Sequence, residues 1–192
     1  MTRWRTAGLW WGTFALLAAS VTVNVVQAHR LRAVITPSAP STLLGRAVQS
    51  IPVVDRDGRA AVVRFDRRVP TILYYFSTSC GWCERNWDNV RRLADQSDGR
   101  YRVVGLAAER SLGDVIDRQH LTFEVYGGVS TEAREALGLS GTPRTIVVSA
   151  QGLITHDWTG AFSGAVALAV EDVFGLTLPG LRPTALAHTA SQ

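Results

Sequence analysis

Two cysteines separated by two residues are the side chains in this sequence whose spacing suggests chemistry. Cys80 and Cys83 are the only cysteines among the 192 residues. A dithiol with this spacing can close a disulfide and open it again, so the pair predicts thiol–disulfide exchange. Such a short loop would constrain the unfolded chain very little, which argues against a purely structural disulfide. A metal site would need further ligands, and the four histidines show no paired ligand spacing.

The segments on either side of the dithiol predict how the cysteines are positioned. Residues 71–76 are apolar, β-branched and aromatic, which is typical of a buried strand. Residues 84–95 predict a helix with Trp87, Val90 and Leu93 toward a core. Cys80 should therefore lie at a strand-to-helix junction. The unpaired N–H groups and the positive dipole end of the helix would stabilise a thiolate there.

Strands and helices alternate through the rest of the sequence. A hairpin is predicted from residues 50–54 and 60–65, which flank an Asp-Arg-Asp-Gly turn. After the dithiol helix, the sequence predicts strands at 101–107, 123–126, 145–149 and 153–158, and helices at 111–120, 131–137 and 161–174. This order predicts an α/β sandwich with a mixed sheet.

The distribution of charge argues against nucleic-acid binding. The formal charge is +4, and four arginines fall within the first 32 residues, where there is no acidic residue. The remaining 16 basic and 16 acidic residues balance, so the predicted domain is neutral. A nucleic-acid-binding domain would need a basic patch in its folded part. Every basic residue is arginine, which excludes lysine-based chemistry.

One apolar segment near the N-terminus, from Leu9 to Val26, carries no charge. It is just long enough to cross a bilayer, and Trp10 and Trp11 at its start favour a membrane interface. A cleaved signal peptide is the alternative, although the segment ends in a poor cleavage signal. Under either interpretation, the domain that follows is exported across the membrane. We expect an anchor (or uncleaved signal) in residues 1–30, a linker in 31–43, the domain in 44–175 and a flexible tail in 176–192.

Two motifs in this order resemble the thioredoxin fold, and specifically its membrane-anchored, TlpA-like bacterial branch. The first is the Cys-Gly-Trp-Cys quartet at 80–83 after an apolar strand. The second is Gly-Thr-Pro at 141–143, followed by the strand and a turn glycine at 152. The resemblance covers residues 44–174. It implies a thioredoxin-like three-layer sandwich with a mixed sheet, an N-terminal β-hairpin extension and a central insertion, preceded by one transmembrane helix.

The resemblance also implies roles for individual residues. Cys80 would be the attacking thiolate and Cys83 the resolving thiol, and together they would form the redox disulfide. The Thr142–Pro143 peptide would be cis and face the dithiol, leaving the Thr142 backbone free to pair with substrate. The alternative is a trans proline that only leads into the strand at 145–149. Trp82 and Gly160 would complete the substrate-binding set. Trp82 can also be an exposed aromatic without a specific role, and Gly160 a glycine that a turn requires.

Three positions depart from the family pattern. Ser79 stands where the family usually has Trp, Tyr74 where thioredoxin has a buried acid, and Asn86 where some anchored relatives carry a carboxylate. Glu84 and Glu109 are then the remaining candidates for acid/base work. At each position the sequence favours a solvated surface charge over an acid/base role.

The function implied by the resemblance is reduction of disulfides in specific exported proteins, for example in cytochrome c or metalloprotein maturation. The partners would be protein dithiols or disulfides and a membrane electron donor, with no cofactor and no metal. The expected location is the bacterial cytoplasmic membrane, with one span and the C-terminal domain on the periplasmic or extracytoplasmic side, where disulfides persist. The alternative is a thioredoxin-fold assembly or metal-binding factor whose cysteines act as ligands without turnover.

Overall fold

The computed structural model describes residues 17, 19–27, 42–65 and 68–183. The chain divides into two units, Met1–Pro40 and Ser41–Gln192. In the first unit, residues 19–27 are helical. None of the helices among the described residues has both the length and the hydropathy that a membrane span requires. Residues 1–16, 18 and 28–30 of the predicted anchor lie outside the described residues, so the anchor stays a prediction.

The second unit is built around a five-stranded mixed sheet. The elements, in chain order, are β1 (Ile51–Val54), β2 (Ala60–Val63), β3 (Thr71–Phe76), α1 (Gly81–Asp95), β4 (Arg102–Ala107), α2 (Gly113–Arg118), β5 (Glu124–Tyr126), α3 (Thr131–Ala136), β6 (Arg144–Val148), β7 (Ile154–Thr159) and α4 (Gly164–Phe174). The strand order is β5-β4-β3-β6-β7. Central β3 runs parallel to β4 and antiparallel to β6. The predicted α/β arrangement with a mixed sheet is confirmed.

Both faces of the sheet are covered, which gives three layers. Every residue of β3 is buried. Ile72, Tyr74 and Phe76 point into one core with α1 and α4. Leu73 and Tyr75 point into the other, with the hairpin and residues that follow α3. A central strand buried on both faces has no polar face, which explains why residues 72–76 form an unbroken apolar run.

One pair of residues joins the N-terminal hairpin of β1 and β2 to the edge of the sheet through backbone hydrogen bonds. Val54 and Gly127 exchange backbone hydrogen bonds of 2.8 Å in both directions. At this point the chain after β5 passes very close to the loop after β4. A Cβ atom on residue 127 would lie 2.2 Å from the carbonyl oxygen of Glu109, so only glycine fits there.

Three helices begin elsewhere than the sequence indicated, including α2, which spans Gly113–Arg118 instead of the predicted 111–120. Helix α1 begins at Gly81, three residues before the predicted start at Glu84, because Cys80 itself caps it. Helix α4 begins at Gly164 rather than at 161. Residues 161 and 162 are instead buried in an irregular segment, where the Phe162 N–H donates to the Asn86 side chain. The backbone of Ser163 is extended, with φ −144° and ψ 154°, so the helix cannot begin before Gly164.

Residues 176–183 pack along α1, although the sequence predicted a flexible tail from 176 onward. Leu178 is buried, and the Gly180 N–H donates to Asn89 Oδ1 at 2.9 Å. The Arg182 guanidinium binds the Asp88 carboxylate through two nitrogens, at 2.8 and 2.7 Å. We call residues 176–183 the C-terminal segment. Residues 184–192 lie outside the described part of the chain.

At the other end, most of the predicted linker also lies outside the described residues. Leu43, at its last position, is buried beneath the sheet among residues of the second core. The packed domain therefore includes Leu43, one residue before the predicted start.

We expect Gly127→Ala to destabilise the domain by about 2–4 kcal/mol, because the added methyl group meets a backbone oxygen that cannot move alone. Urea unfolding measures the loss. The control is Gly113→Ala, at the first position of α2, where a Cβ atom meets nothing within 4 Å. That change should be neutral or stabilise by up to about 1 kcal/mol. Equal effects from the two substitutions would contradict the close approach at Gly127.

A second prediction concerns the attachment of the C-terminal segment. The hydrogen bond from Arg182, aided by Arg91, lowers the pKa of Asp88 to about 2. A carboxyl group with a lowered folded-state pKa adds stability above its unfolded pKa and loses it as the pH falls toward the folded value. Asp88 is partly exposed, so we expect Asp88→Asn to cost about 1 kcal/mol at pH 7. The cost should shrink between about pH 4 and pH 2.

Urea unfolding at pH 7, 4 and 3 tests this dependence. The control is Asp95→Asn on the same helix, at a carboxylate for which no ion pair is found among the described residues. A cost for Asp88→Asn that stays constant over this pH range would contradict the role of the ion pair.

Candidate functional site

The sulfur of Cys80 is the N-cap of helix α1. The backbone of Cys80 is extended, with φ −85° and ψ 107°, and its Sγ accepts the Cys83 N–H at 3.2 Å. Its carbonyl oxygen accepts the first helical hydrogen bond, from the Glu84 N–H at 3.0 Å. The predicted position of Cys80 at the junction of strand and helix is confirmed. The sulfur stands where the unpaired N–H groups of a helix favour negative charge.

The surroundings of Cys80 favour its thiolate. Burial raises the pKa of the Cys80 thiol, but hydrogen bonds from the Cys83 thiol, from the Thr142 side chain and from the backbone N–H groups of Cys83 and Trp82 outweigh it. The net pKa lies below the usual value for a thiol. Cys80 is only partly buried, so the sulfur that ionises more readily is also the one that a partner can reach.

Cys83 has the opposite properties. It is 1% exposed, and burial, followed by its hydrogen bond to Cys80, raises its pKa to about 12. Both cysteines are free thiols, so the structure is that of the dithiol form. One thiol is therefore suited to attack and the other stays protonated until its surroundings change.

The second predicted motif lies directly beside the first. The Thr142–Pro143 peptide bond is cis, which confirms the prediction. The Cys80 thiol donates to the carbonyl oxygen of Thr142 at 3.5 Å. Gly160, with φ +99°, donates its N–H to the Pro143 carbonyl oxygen at 2.8 Å, and a Cβ atom there would meet nothing within 4 Å. The structure thus brings Cys80, Thr142, Pro143 and Gly160 together beside open space.

Trp82 lies on the surface next to the dithiol. Its side chain is 55% exposed, and the Arg85 guanidinium lies 4.8 Å from the ring centroid. The C-terminal segment holds Arg85 in this position: Arg85 Nε donates to the Arg182 carbonyl oxygen at 2.8 Å, and the Arg182 N–H donates to the Arg85 carbonyl oxygen at 2.9 Å. The indole ring therefore exposes an apolar surface, and the Arg85 guanidinium lies against one of its faces.

Glu109 is tied to the loop that leads into Cys80. Its carboxylate accepts the Ser77 hydroxyl at 2.6 Å and the Thr78 N–H at 3.2 Å. Burial raises the pKa of Glu109, but these hydrogen bonds outweigh it and leave the pKa below the usual value. A carboxylate that ionises so readily is a poor proton donor at neutral pH. The contacts show Glu109 positioning the loop, while its predicted acid/base role stays a prediction.

Glu84 is half exposed and lies on the side of α1 that faces Gln119 and Arg182. It accepts a hydrogen bond from Gln119 Nε2 at 2.7 Å and lies 3.9 Å from an Arg182 nitrogen. These contacts link α1 to the end of α2 and to the C-terminal segment. Its predicted acid/base role also stays a prediction.

Tyr74 and Asn86, which the sequence showed only as departures from the family pattern, belong to a buried polar network that was not predicted from the sequence. Asn86 Nδ2 donates to the Tyr74 hydroxyl oxygen at 3.2 Å, and Asn86 Oδ1 accepts from Asn89 Nδ2 at 2.9 Å and from the Phe162 N–H at 3.0 Å. Both asparagines are fully buried. A signal existed in the sequence, because positions 86 and 89 adjoin the apolar stripe of the helix, where an asparagine needs buried partners.

Within the residues that the structure describes, no group of three or more His, Cys, Asp or Glu side chains comes together as a metal site would require. The two thiols of the dithiol are the only pair of soft ligands in the sequence.

Comparison with known proteins supports the fold. No protein-family model matches the chain. It is 26% identical over 136 residues to a thioredoxin-like protein of Haemophilus influenzae, covering 67% of this chain and 79% of the relative. The thioredoxin domain of a thiol-disulfide oxidoreductase from Bacteroides vulgatus superposes with a TM-score of 0.57 at 15% identity, covering 70% of this chain and 99% of that domain. A thiol-disulfide oxidoreductase from Bacteroides fragilis superposes with a TM-score of 0.56 at 14% identity, covering 67% and 99%. The domain has a thioredoxin-like fold.

The difference between the two thiols leads to a testable prediction. Brief alkylation of the reduced full-length chain with iodoacetamide should label Cys80 first. The pH midpoint of its rate should lie below about 8.5, the usual thiol pKa. Cys83 should stay unlabelled up to pH 9, because its pKa is raised to about 12 and its sulfur is buried. Tandem mass spectrometry distinguishes the two sites. Equal labelling, or a midpoint at or above the usual value, would contradict the described electrostatics.

Proposed function

We propose that this thioredoxin-like domain is a thiol–disulfide oxidoreductase in which Cys80 attacks and Cys83 resolves. The observation that carries the proposal is the asymmetry of the dithiol. The pKa of the accessible Cys80 is lowered, whereas burial raises the pKa of Cys83 to about 12. Thiolates and not thiols attack disulfides, so this difference supports attack by Cys80 and resolution by Cys83.

In the proposed reaction the Cys80 thiolate attacks one sulfur of a substrate disulfide. A bond forms between Cys80 and that sulfur, the substrate S–S bond breaks, and the other substrate sulfur leaves as a thiolate that takes up a proton. Cys83 then loses its proton and attacks Cys80. The Cys80–Cys83 disulfide forms and the second substrate sulfur leaves with a proton. Two electrons have passed from the dithiol to the substrate, and an external dithiol must return them.

The surface beside Cys80 supports a polypeptide substrate. The open space over Gly160 and the backbone around the cis Pro143 would let an extended segment lie next to Thr142 as an added strand. Trp82, exposed and backed by Arg85, would contact an apolar side chain of that segment. These assignments of Trp82, Thr142, Pro143 and Gly160 to substrate binding belong to the proposal.

We further propose that the protein is a TlpA-like reductase of specific exported proteins, for instance during cytochrome c or metalloprotein maturation. The support comes from the sequence: an uncharged apolar segment from Leu9 to Val26 would anchor the domain on the extracytoplasmic face of a bacterial membrane. A membrane protein would supply the electrons there. No bound cofactor takes part in the proposed reaction, since the dithiol itself carries the electrons.

Substitution of each cysteine tests the proposed order. With insulin as the disulfide substrate and dithiothreitol as the reductant, Cys80→Ser should reduce the catalysed rate at least about 100-fold, to background, because no thiolate remains to attack. Cys83→Ser should also lose turnover but accumulate a mixed disulfide through Cys80, visible by non-reducing electrophoresis. Unchanged turnover in Cys80→Ser would refute the proposal. Partner or metal binding that survives in that variant, with no turnover in the parent protein, would support the alternative of a binding factor.

The reduction potential of the dithiol shows in which direction electrons flow. Equilibration of the full-length chain with dithiothreitol or glutathione buffers gives the reduction potential of the Cys80–Cys83 pair. We expect a reductase, with a value closer to thioredoxin's, about −270 mV, than to the strongly oxidising value of about −120 mV. A value near the second figure would mean that the protein donates disulfides.

A further inference from the structure

An arginine beside the dithiol has no counter-ion in the described part of the chain. Arg85 lies near the start of α1, two residues after Cys83, on the face of the helix that carries Trp82. None of the ion pairs among the described residues includes Arg85. Its side chain donates there only through Nε. Neither terminal nitrogen is among the buried polar atoms without a partner, so both reach solvent.

The guanidinium of Arg85 is nevertheless held in place. Nε donates to the Arg182 carbonyl oxygen at 2.8 Å, and the centroid of the Trp82 ring lies 4.8 Å from Cζ. Arg182 is itself fixed, because its side chain binds Asp88 through two nitrogens and donates to Gln119 Oε1 at 2.9 Å. An arginine held in this way loses little conformational freedom when it binds a partner, which lowers the cost of binding.

The carboxylates closest to Arg85 along α1 are engaged by other groups. Asp88 is paired with Arg182. Glu84 accepts a hydrogen bond from Gln119 at 2.7 Å and lies 3.9 Å from an Arg182 nitrogen. The positive charge of Arg85 is therefore not compensated by these neighbours, and it lies at the edge of the surface that a substrate would cover. A fixed charge at such an edge selects partners of the opposite charge.

The shape of the free group indicates which anion fits. The two terminal nitrogens of a guanidinium lie in one plane and match the two oxygens of a carboxylate. Because Trp82 stands between the two cysteines and its ring lies against Arg85, a carboxylate bound to Arg85 would lie close to the dithiol.

We propose that Arg85 binds an aspartate or glutamate side chain of the substrate polypeptide, close in sequence to the cysteine that Cys80 attacks. Arg85 is then a specificity-determining residue, and the preferred substrates are polypeptides that are acidic around their disulfide. This inference rests on the proposed function, since it concerns the substrate of that reaction.

Model disulfides isolate this preference. Peptides carry a single cysteine between runs of aspartate, of asparagine or of arginine, and that cysteine is joined in a disulfide to 2-nitro-5-thiobenzoate. The Cys80 thiolate of the reduced full-length chain attacks the peptide sulfur and bonds to it, the peptide S–S bond breaks, and the coloured nitrothiobenzoate leaves as a thiolate. Each rate constant is divided by that of the same peptide with 2-mercaptoethanol, which removes differences in intrinsic reactivity.

We expect the aspartate peptide to react about fivefold faster than the asparagine peptide at low salt, as a well-fixed but partly exposed ion pair allows. The advantage should shrink as the ionic strength rises to about 1 M, because salt screens such a pair. Arg85→Gln should lower the advantage to less than about 1.5-fold. Arg85→Glu should favour the arginine peptide instead, because the fixed charge is reversed.

Arg92→Gln is the matched control. Arg92 is exposed on the same helix, about 10 Å farther from the dithiol, and no ion pair in the described part of the chain includes it. This substitution removes the same charge and should leave the advantage of the aspartate peptide unchanged. An advantage that is absent from the parent protein, that survives in Arg85→Gln, or that falls equally in both variants would overturn the inference.

Thermal melting shows whether the variants fold. If Arg85→Gln does not, Arg85→Lys keeps the charge but loses the planar pair of donors, so it should lose at least about half of the advantage. An unchanged advantage in that variant would overturn the inference. Failure of the proposed function looks different. A protein that shows these preferences but does not turn over insulin would refute the function alone, whereas insulin reduction without a preference for aspartate would refute only the inference.

Discussion

The capping of helix α1 by a cysteine sulfur is the interaction on which the site depends. Because Cys80 Sγ accepts the Cys83 N–H, the helix must begin at Gly81, and Cys83 falls on its third residue. At that position the second sulfur turns inward beneath the first turn, whereas the capping sulfur stays at the surface. This hydrogen bond thus sets the position of both thiols, and burial of Cys83 together with the hydrogen bonds around Cys80 separates their pKa values.

The layers of the fold keep Cys83 buried, and so maintain the difference between the pKa values of the two thiols. A sheet covered on both faces gives β3 no solvent-facing side, so the side chains behind Cys83 come from a dry core. Buried polar groups must there be satisfied within the protein, and the two asparagines of α1 do so through partners on distant segments, Phe162 and Gly180. The polar network therefore connects α1 to these two segments, and Asn86 also contacts the Tyr74 hydroxyl group.

The sequence predicted those parts of the molecule that local patterns encode. The apolar run of β3, the helix after it and the Gly-Thr-Pro motif each lie within a few residues, and the strand, the helix and the cis peptide were all found. The start of α1 was missed because sulfur is not among the usual capping groups. The C-terminal segment was missed because it has no periodicity and is held by partners such as Asp88, 94 residues away. The orientation of Asn86 depends on Phe162, 76 residues away, which no local pattern reveals.

The contact between Cys80 and the Thr142 carbonyl oxygen has a consequence for how a partner would be held and released. At 3.5 Å the carbonyl accepts the S–H of the protonated thiol. A thiolate, a mixed disulfide or a closed disulfide has no such hydrogen, so in each of these states the carbonyl oxygen loses its internal donor and becomes free to accept an N–H from outside. A bound polypeptide would then gain a hydrogen bond to this carbonyl oxygen when it forms the mixed disulfide with Cys80. It would lose that hydrogen bond when Cys80 is protonated again. Affinity would follow the chemical state of one sulfur without any movement of the backbone.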